Sequence, residues 1–422
     1  MEVREPSAKY LARPAYKQTE VGMIPEDWRC ITTAELVEPD APICYGVVQV
    51  GRNTDDGIPI VAIKYVKEIA QAPLHRTAAA IERPYSRSRV RRGDVLISIK
   101  GTIGRVGLVP TGFEGNISRE LARLRPRPEY SGAYVAHQLE ADATQTRISK
   151  EVVGTTRLEF SIATLRKFIL AFPGSFPEQQ AIAEALSDAD ALIDALAQLL
   201  AKKRQIKQGA MQKLLTGQRR LPGFAGEWEV RQLGDVAVTL KGSGLTKGLV
   251  SASGSRPCVL YGELFTTYGR VITSIVSRTD SDDGCRSIAG DVLMPGSTTT
   301  SGIDLATASA LFEDGVALGG DINVIRKRGE YYDPGFLANY LTAVKRKQIA
   351  DISQGITIHH LYGRDLALLP IELPSLAEQT AIATLLSDMD AELAALEAKL
   401  AKARGVKQGM MQELLTGRIR LV

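Results

Sequence analysis

The sequence predicts an α+β protein: two globular mixed α/β domains separated by two long helices that form an antiparallel coiled coil, in a pseudo-twofold, circular arrangement. Three observations carry this reading. They are a repeat at an offset of 200 residues, a heptad seam in both copies, and chain ends that complete one another.

The repeat is close. Residues 175–221 and 375–421 agree at 28 of 47 positions without a gap. The same offset carries Trp28 in IPEDWRCITTAEL onto Trp228 in FAGEWEVRQLGDV. Between these anchors the copies drift. GDVLISIKGTIG (93–104) and GDVLMPGSTTTSG (290–302) share only their first four residues, and Gly154 in VVGTTRLEF answers Gly355 in SQGITIHHL. The chain therefore divides into a lead-in (1–27), a first globular domain (28–174), a first spacer helix (175–222), a second globular domain (223–374) and a second spacer helix (375–422).

Each alike block reads as one helix. Ser175 and Ser375 are followed three residues later by Glu178 and Glu378, the pattern of a capping box. Pro177 falls in the first turn, where its missing N–H costs little. Gly217 and Gly417 suit the left-handed position that ends a helix. Roughly 38 residues at 1.5 Å each make a rod of about 57 Å.

The apolar spacing chooses the partner. Ile182, Leu186, Ala189, Ile193, Leu196 and Leu200 step alternately by four and three, as do Ile382, Leu386, Met389, Leu393, Leu396 and Leu400. Two helices buried in separate domains are the plainer alternative, but equal rods with equal seams fit an intramolecular antiparallel pair better. Past Leu200 the seam runs through Lys203, Lys207, Ala210 and Leu214, matched by Ala403, Lys407, Met410 and Leu414, with lysine stems expected to reach out to water. Off the seam, Leu192, Leu199, Ile206, Met211 and Leu215 are surplus, and a further helical partner is expected to dock there. After Gly217 the chain continues QRRLPGFAGEW into the second domain; after Gly417 it stops at RIRLV, and YKQTEVGMIPEDW supplies the equivalent lead-in to the first.

Composition excludes several classes. At 44% hydrophobic and 24% charged residues, the chain is neither disordered nor made of membrane spans. The N-terminal stretch has no apolar core for a secretory signal, so a cytoplasmic location is expected. Cys30, Cys44, Cys258 and Cys285 form no C-x-x-C pair and read as inert thiols. No phosphate-cradling G-x-x-x-x-G-K-[ST], nucleophile elbow or H-E-x-x-H helix occurs. Of the histidines (His75, His137, His359, His360), the adjacent pair would point to opposite faces of an extended segment, so no metal site is expected. The reading is of a chain without catalytic residues.

The repeated E-Q-x-A-I-A-x-x-L-S-D helix openings, the K-Q-G-x-M-Q-x-L-L-T-G closings and the lead-ins YKQTEVGMIPEDW and LPGFAGEW together resemble the specificity subunits of Type I restriction–modification systems, over nearly the whole chain. The resemblance implies that each globular domain is a target-recognition domain for half of a bipartite site in double-stranded DNA. It implies that the paired helices set the spacer and dock two modification (methyltransferase) subunits, with restriction (translocase and nuclease) subunits added. S-adenosylmethionine, ATP and Mg would then belong to the partners, with no cofactor in this chain.

Residues 28–174 hold 21 Lys and Arg against 15 Asp and Glu, whereas residues 228–374 hold 14 against 16, so phosphate contact is expected chiefly from the first domain. Its densest run supplies Arg87, Arg89, Arg91 and Arg92, read as a strand with arginines on one face. Lys100, Thr102 and Arg105 follow in a glycine-bounded loop, with Tyr45 and Gln49 as softer candidates. A solvated basic edge strand is an equal alternative. In the second domain the candidates are Lys241 and Lys247, the hydroxyls Ser297, Thr298 and Thr299, for which a plain polar turn is the favoured alternative, and Arg326. So different a pair of domains predicts an asymmetric target. The competing readings are a scaffold whose domains bind proteins, a specificity subunit serving a methyltransferase alone, and a fused-enzyme relative.

Overall fold

The computed structural model describes residues 15–152 and 158–421; the Gly154 segment and the start of the lead-in lie outside the described residues. The chain forms two compact units, the first made of 1–196 with 399–422 and the second of 197–398. The two long helices, Phe176–Leu214 and Leu376–Leu414, are continuous over 39 residues each, and each is shared between the units. Sequence drift marks the edges of the globular blocks, but the compact bodies are cut across the helices, because each block is completed by one helix start and one helix end.

The two units repeat one topology. In the first, a sheet runs in the order Cys44–Tyr45, Leu121–Leu124, Val95–Ser98, Val106–Leu108. In the second the order is Ala237–Lys241, Ile322–Lys327, Asp291–Pro295, Ser309–Leu311, with Val271–Ile272 added at the edge. A smaller sheet stands beside each, built on Ile58–Val61 in the first unit and Arg256–Val259 in the second. Strands Val95–Ser98 and Asp291–Pro295 are buried at every residue, which is why the GDVL runs are apolar rather than alternating.

Ile182, Ala183 and Leu186 of the first long helix enter the first unit's core with Trp28, Tyr134 and Phe172, and Leu414 and Leu415 of the second helix join them. In the second unit the equivalents are Ile382, Leu386, Leu214 and Leu215, packed with Phe336, Tyr340 and Trp228. A buried ion pair locks each junction. Glu178, 1% exposed, takes two charge-assisted hydrogen bonds from Arg420, which also reaches Asp27 at 2.7 and 3.0 Å. Glu378, fully buried, takes two from Arg220. Both guanidiniums lie over a tryptophan, Arg420 at 6.0 Å from Trp28 and Arg220 at 5.9 Å from Trp228. The neighbouring glutamines clamp the globular block: Gln179 accepts the Ser131 N–H and Gln379 the Asp333 N–H, each at 3.0 Å.

These roles revise the capping box. Ser175 and Ser375 accept the N–H groups of Glu178 and Glu378 at 3.4 Å, but the glutamate carboxylates are turned to the arginines instead of back to the serines. The helix ends follow the glycine reading, with φ of 69° at Gly217 and 71° at Gly417. A Cβ on Gly417 would stand 2.4 Å from Pro25.

Inside each unit the helix portions run in opposite directions. In the first, Lys407 bonds Asp190 at 2.5 and 2.6 Å while Arg420 holds Glu178. In the second, Lys203 bonds Glu392 at 2.6 Å, Arg204 bonds Glu397 at 2.5 Å, and Lys207 bonds Asp390. Ile182, Leu186, Leu196, Leu200, Ile382, Leu386 and Leu400 are buried; Ile193, Met389, Leu393 and Leu396 are half-buried. Two of the seam lysines, Lys207 and Lys407, do not reach out to water. Lys207 and Lys407 are each 15% exposed, because an aspartate of the opposed helix supplies the countercharge. Of the surplus apolar residues, Leu192, Leu199 and Ile206 are exposed, whereas Leu215 is fully buried and Met211 packs against the second unit's core. At this helix end the apolar face is used to complete the second unit's core.

Replacing Arg420 by Met should lower stability by about 2–4 kcal/mol, since Glu178 is left buried without its countercharge. Glu178→Gln should cost less than Arg420→Met. Denaturant unfolding of both variants measures this, and equal losses would contradict it.

Candidate nucleic-acid interface

The GDVL runs place one arginine in each unit. Asp94, 1% exposed, accepts the Arg91 N–H at 2.9 Å and two bonds from Arg125 at 2.8 Å. Asp291, also 1% exposed, accepts the Ile288 N–H at 2.9 Å and bonds from Arg326 at 2.9 and 2.7 Å. Arg326 is therefore tied inward. Two of its guanidinium N–H groups are spent holding a buried aspartate.

In the first unit a cleft of about 900 Å³ opens beside the sheet. Among the described residues, seven arginines line it (Arg76, Arg87, Arg89, Arg91, Arg123, Arg125 and Arg166), against Asp40 and Glu114. The run read as a strand is instead a short 3₁₀ helix over Arg83–Ser88, with Pro84 in its first turn, followed by an irregular stretch. Arg87, Arg89 and Arg91 nevertheless share the cleft wall, and Tyr45 stands at its rim, 39% exposed. Arg92 and Gln49 are exposed outside it. Arg89 bonds the buried Glu82 at 2.8 and 2.6 Å, and that bond holds the Glu82 carboxyl below its ordinary pKa. Arg91 reaches Glu38 at 3.0 Å. Both keep more than half of their side chains exposed.

The loop after Val95–Ser98 is closed by one hydroxyl: Ser98 donates to the Thr102 carbonyl at 2.5 Å and accepts the Arg105 N–H at 2.8 Å. Thr102 is exposed, Arg105 half-buried, and Lys100 lies 3.3 Å from Glu159. The equivalent loop of the second unit departs from expectation. Ser297–Thr298 forms a strand paired with His359–His360, so both hydroxyls turn inward, Ser297 onto Asp321 and Thr298 onto Thr300 at 2.9 Å. They are buried, and only Thr299 of the three faces solvent. Lys247 is exposed, as is Lys241, 3.5 Å from Asp321.

Sequence reasoning missed Arg76, Arg123, Arg125 and Arg166; Arg123 and Arg125 alternate in the stretch LARLRPR, a signal that was in view, whereas Arg76 and Arg166 reach the cleft from separate stretches. It also missed Ile356, 96% exposed in the segment that His360 and Gln354 close through bonds of 2.7 and 2.9 Å. Gly355 there has φ 116°, and a Cβ would lie 2.0 Å from the Ile358 carbonyl oxygen, which explains the glycine.

His137, Glu140 and Asp190 bring potential ligand atoms within 4.8 Å of one another. Lys407 supplies the positive charge in that group, bonding Asp190 and lying 3.9 Å from Glu140, so the cluster reads as an ion-pair network and not a metal centre. The four cysteines are free. Among the described residues no helix is long and apolar enough to cross a membrane.

The chain is similar to known proteins in sequence and in fold. The family model for the Type I restriction modification DNA specificity domain matches residues 55–207 and 225–403. The EcoBI type I restriction enzyme specificity subunit of Escherichia coli is 28% identical over 203 residues, 46% of this chain and 43% of that protein. The MjaX type I restriction enzyme specificity subunit of Methanocaldococcus jannaschii is 24% identical over 438 aligned positions, covering 96% of this chain and 97% of the relative. In fold, the chain resembles the crystal structure of a Type I restriction–modification S subunit from M. genitalium, with TM-score 0.60 and 16% identity over 92% of this chain and 96% of that one. A chain from another type I restriction–modification system gives TM-score 0.50 at 16% identity, over 94% and 99%.

Arg326→Leu should lower the thermal midpoint by several degrees, because Asp291 stays buried without its partner, whereas Lys247→Ala should leave it within a degree. Equal midpoints would refute the inward role. A second outcome concerns pH. Burial pulls His137 below its ordinary value of 6.5, against Glu140 and Asp190 and together with Lys407. The unfolded chain therefore binds the proton first, so this contribution is present above about pH 6.5 and lost as pH falls below it. His137→Gln should show a smaller fall in midpoint between pH 7.5 and 5.5 than the parent; an unchanged fall would count against it.

Proposed function

The chain belongs to the Type I restriction–modification DNA specificity family, and from that premise we propose that it is a non-catalytic DNA-reading subunit recognising a bipartite, asymmetric target, one half-site to each globular unit. The observation that carries the reading is the arginine cleft of the first unit, where Arg89 and Arg91 keep more than half of each side chain exposed and so within reach of phosphates. The second unit has no such excess of charge and would read with neutral groups, Thr299 and the Ile356 segment among them. That difference supports two unlike half-sites.

The two helices act as the ruler in this reading. Paired antiparallel along their length as a coiled coil with a pseudo-twofold, they would hold the two readers apart; half-sites one turn of B-DNA apart are separated by roughly 34–36 Å. The exposed Leu192, Leu199 and Ile206 are the surface on which two modification subunits dock. Those partners would bring S-adenosylmethionine, and restriction subunits would bring ATP and Mg chemistry.

Mapping adenine methylation in the host genome with and without this gene tests the reading and yields the target. Loss of methylation at one bipartite, asymmetric sequence is the expected result; an unaltered pattern would overturn it. Lengthening both helices by one turn should lengthen the spacer of the methylated site, and an unchanged spacer would refute the ruler.

A further inference from the structure

Arg123 sits in strand Leu121–Leu124 on the floor of the arginine cleft and is 2% exposed. Its Nη1 donates to the Arg89 carbonyl at 3.3 Å and its Nη2 to the Pro42 carbonyl at 3.1 Å, while the buried Nε has no partner. No carboxylate among the described residues lies within 4 Å of it, unlike Arg89, Arg91 and Arg125 beside it. A charge removed from water without a counterion is one of the costliest arrangements in a folded chain. Burial is the largest influence on this guanidinium and pulls its pKa below the ordinary value.

The fold itself does not require the charge, and the chain carries its own control. Arg123 pairs with Leu96 of the GDVL strand in the first unit; Val324 pairs with Leu293 of the GDVL strand in the second. Two residues later Arg125 and Arg326 make the same bonds to Asp94 and Asp291. At the equivalent place in the same sheet, the second unit buries a valine among Leu293, Ile322 and Leu311.

We infer that Arg123 is the seat of a phosphate group, held at the floor of the cleft while Arg87, Arg89 and Arg91 meet the adjoining backbone of the same duplex. This rests on the reading of the chain as a DNA reader. A phosphodiester brings the full negative charge that is missing here, together with oxygens able to take the unused Nε–H; a base edge brings acceptors but no charge. A phosphate seat fixes register without carrying sequence information.

Arg123→Val, the residue of the sister unit, provides the test, with Arg123→Met as a second variant nearer in length. Full-length chain assembled with its modification subunits would be titrated with a duplex carrying the mapped target and with an unrelated duplex, across a range of salt. The thermal midpoint should hold or rise. Affinity should fall about tenfold for both duplexes alike. The slope of log K against log salt should shrink by about 0.9, the loss of one phosphate contact. A midpoint several degrees lower in both variants with unchanged DNA affinity would make Arg123 structural and overturn the inference, and so would a loss confined to the target duplex. Inorganic phosphate forms a separate arm: if it stabilises the parent but not Arg123→Val while duplex binding is equal in the two, the seat takes a free anion and the DNA assignment fails. A parent that binds both duplexes equally, with both weakened in Arg123→Val, would defeat the target-reading function and leave the phosphate seat standing.

Discussion

The architecture depends on a buried carboxylate that the chain must neutralise from far along its own sequence. Glu178 and Glu378 are both almost completely out of water, each at the first turn of a long helix, and each is answered by an arginine just beyond the end of the other long helix. A carboxylate placed there cannot remain charged without that partner, so a globular block is complete only when the opposite helix has arrived. Stacking of Arg420 and Arg220 over Trp28 and Trp228 ties the same two ends to the lead-in, and Gln179 and Gln379 tie them to the helix that backs the sheet. This explains why E-Q, T-G and W recur at a fixed offset while the residues between them drift. They are parts of one contact made twice.

That contact also explains where the sequence was legible. A 28-of-47 repeat and a four–three apolar spacing report local, periodic constraints, and both helices form where the spacing predicts them, with glycine in the left-handed region at each end. Long-range pairing has no such signature. Glu178 reads as a capping residue because its serine is three residues away, whereas the arginine that claims it is 242 residues away. Lys207 and Lys407 read as solvent-seeking because their aspartates are on another segment.

The arginine cleft was legible in part for the same reason. A dense arginine run is visible in sequence, and Arg87, Arg89 and Arg91 do reach one cleft, although a proline-started 3₁₀ turn replaces the strand expected there. Whether a polar side chain in a loop faces outward depends on pairing with a distant segment. Ser297 and Thr298 became strand residues against His359–His360 and turned in, and Arg326 was claimed by Asp291 on the neighbouring strand. Arg76 and Arg166 gather at the cleft from stretches 90 residues apart, which no window along the sequence reveals.

The arginines of this chain can be sorted by where their countercharge comes from. Arg125, Arg326, Arg220 and Arg420 have it inside the fold, in bonds repeated from one unit to the other, and changing any of them strands a buried acid. Arg89 and Arg91 divide their attention between an acid and solvent. Among the described residues Arg123 has no countercharge in contact, and the sister unit has Val324 at its place. Among these arginines, the bonds repeated in both units are electrostatically closed, and Arg123, whose place the second unit gives to a valine, is left open. A protein with a fixed frame and an exchangeable recognition surface would be organised in this way, because substitutions on the open surface cost the frame little, while substitutions in the closed pairs cost both.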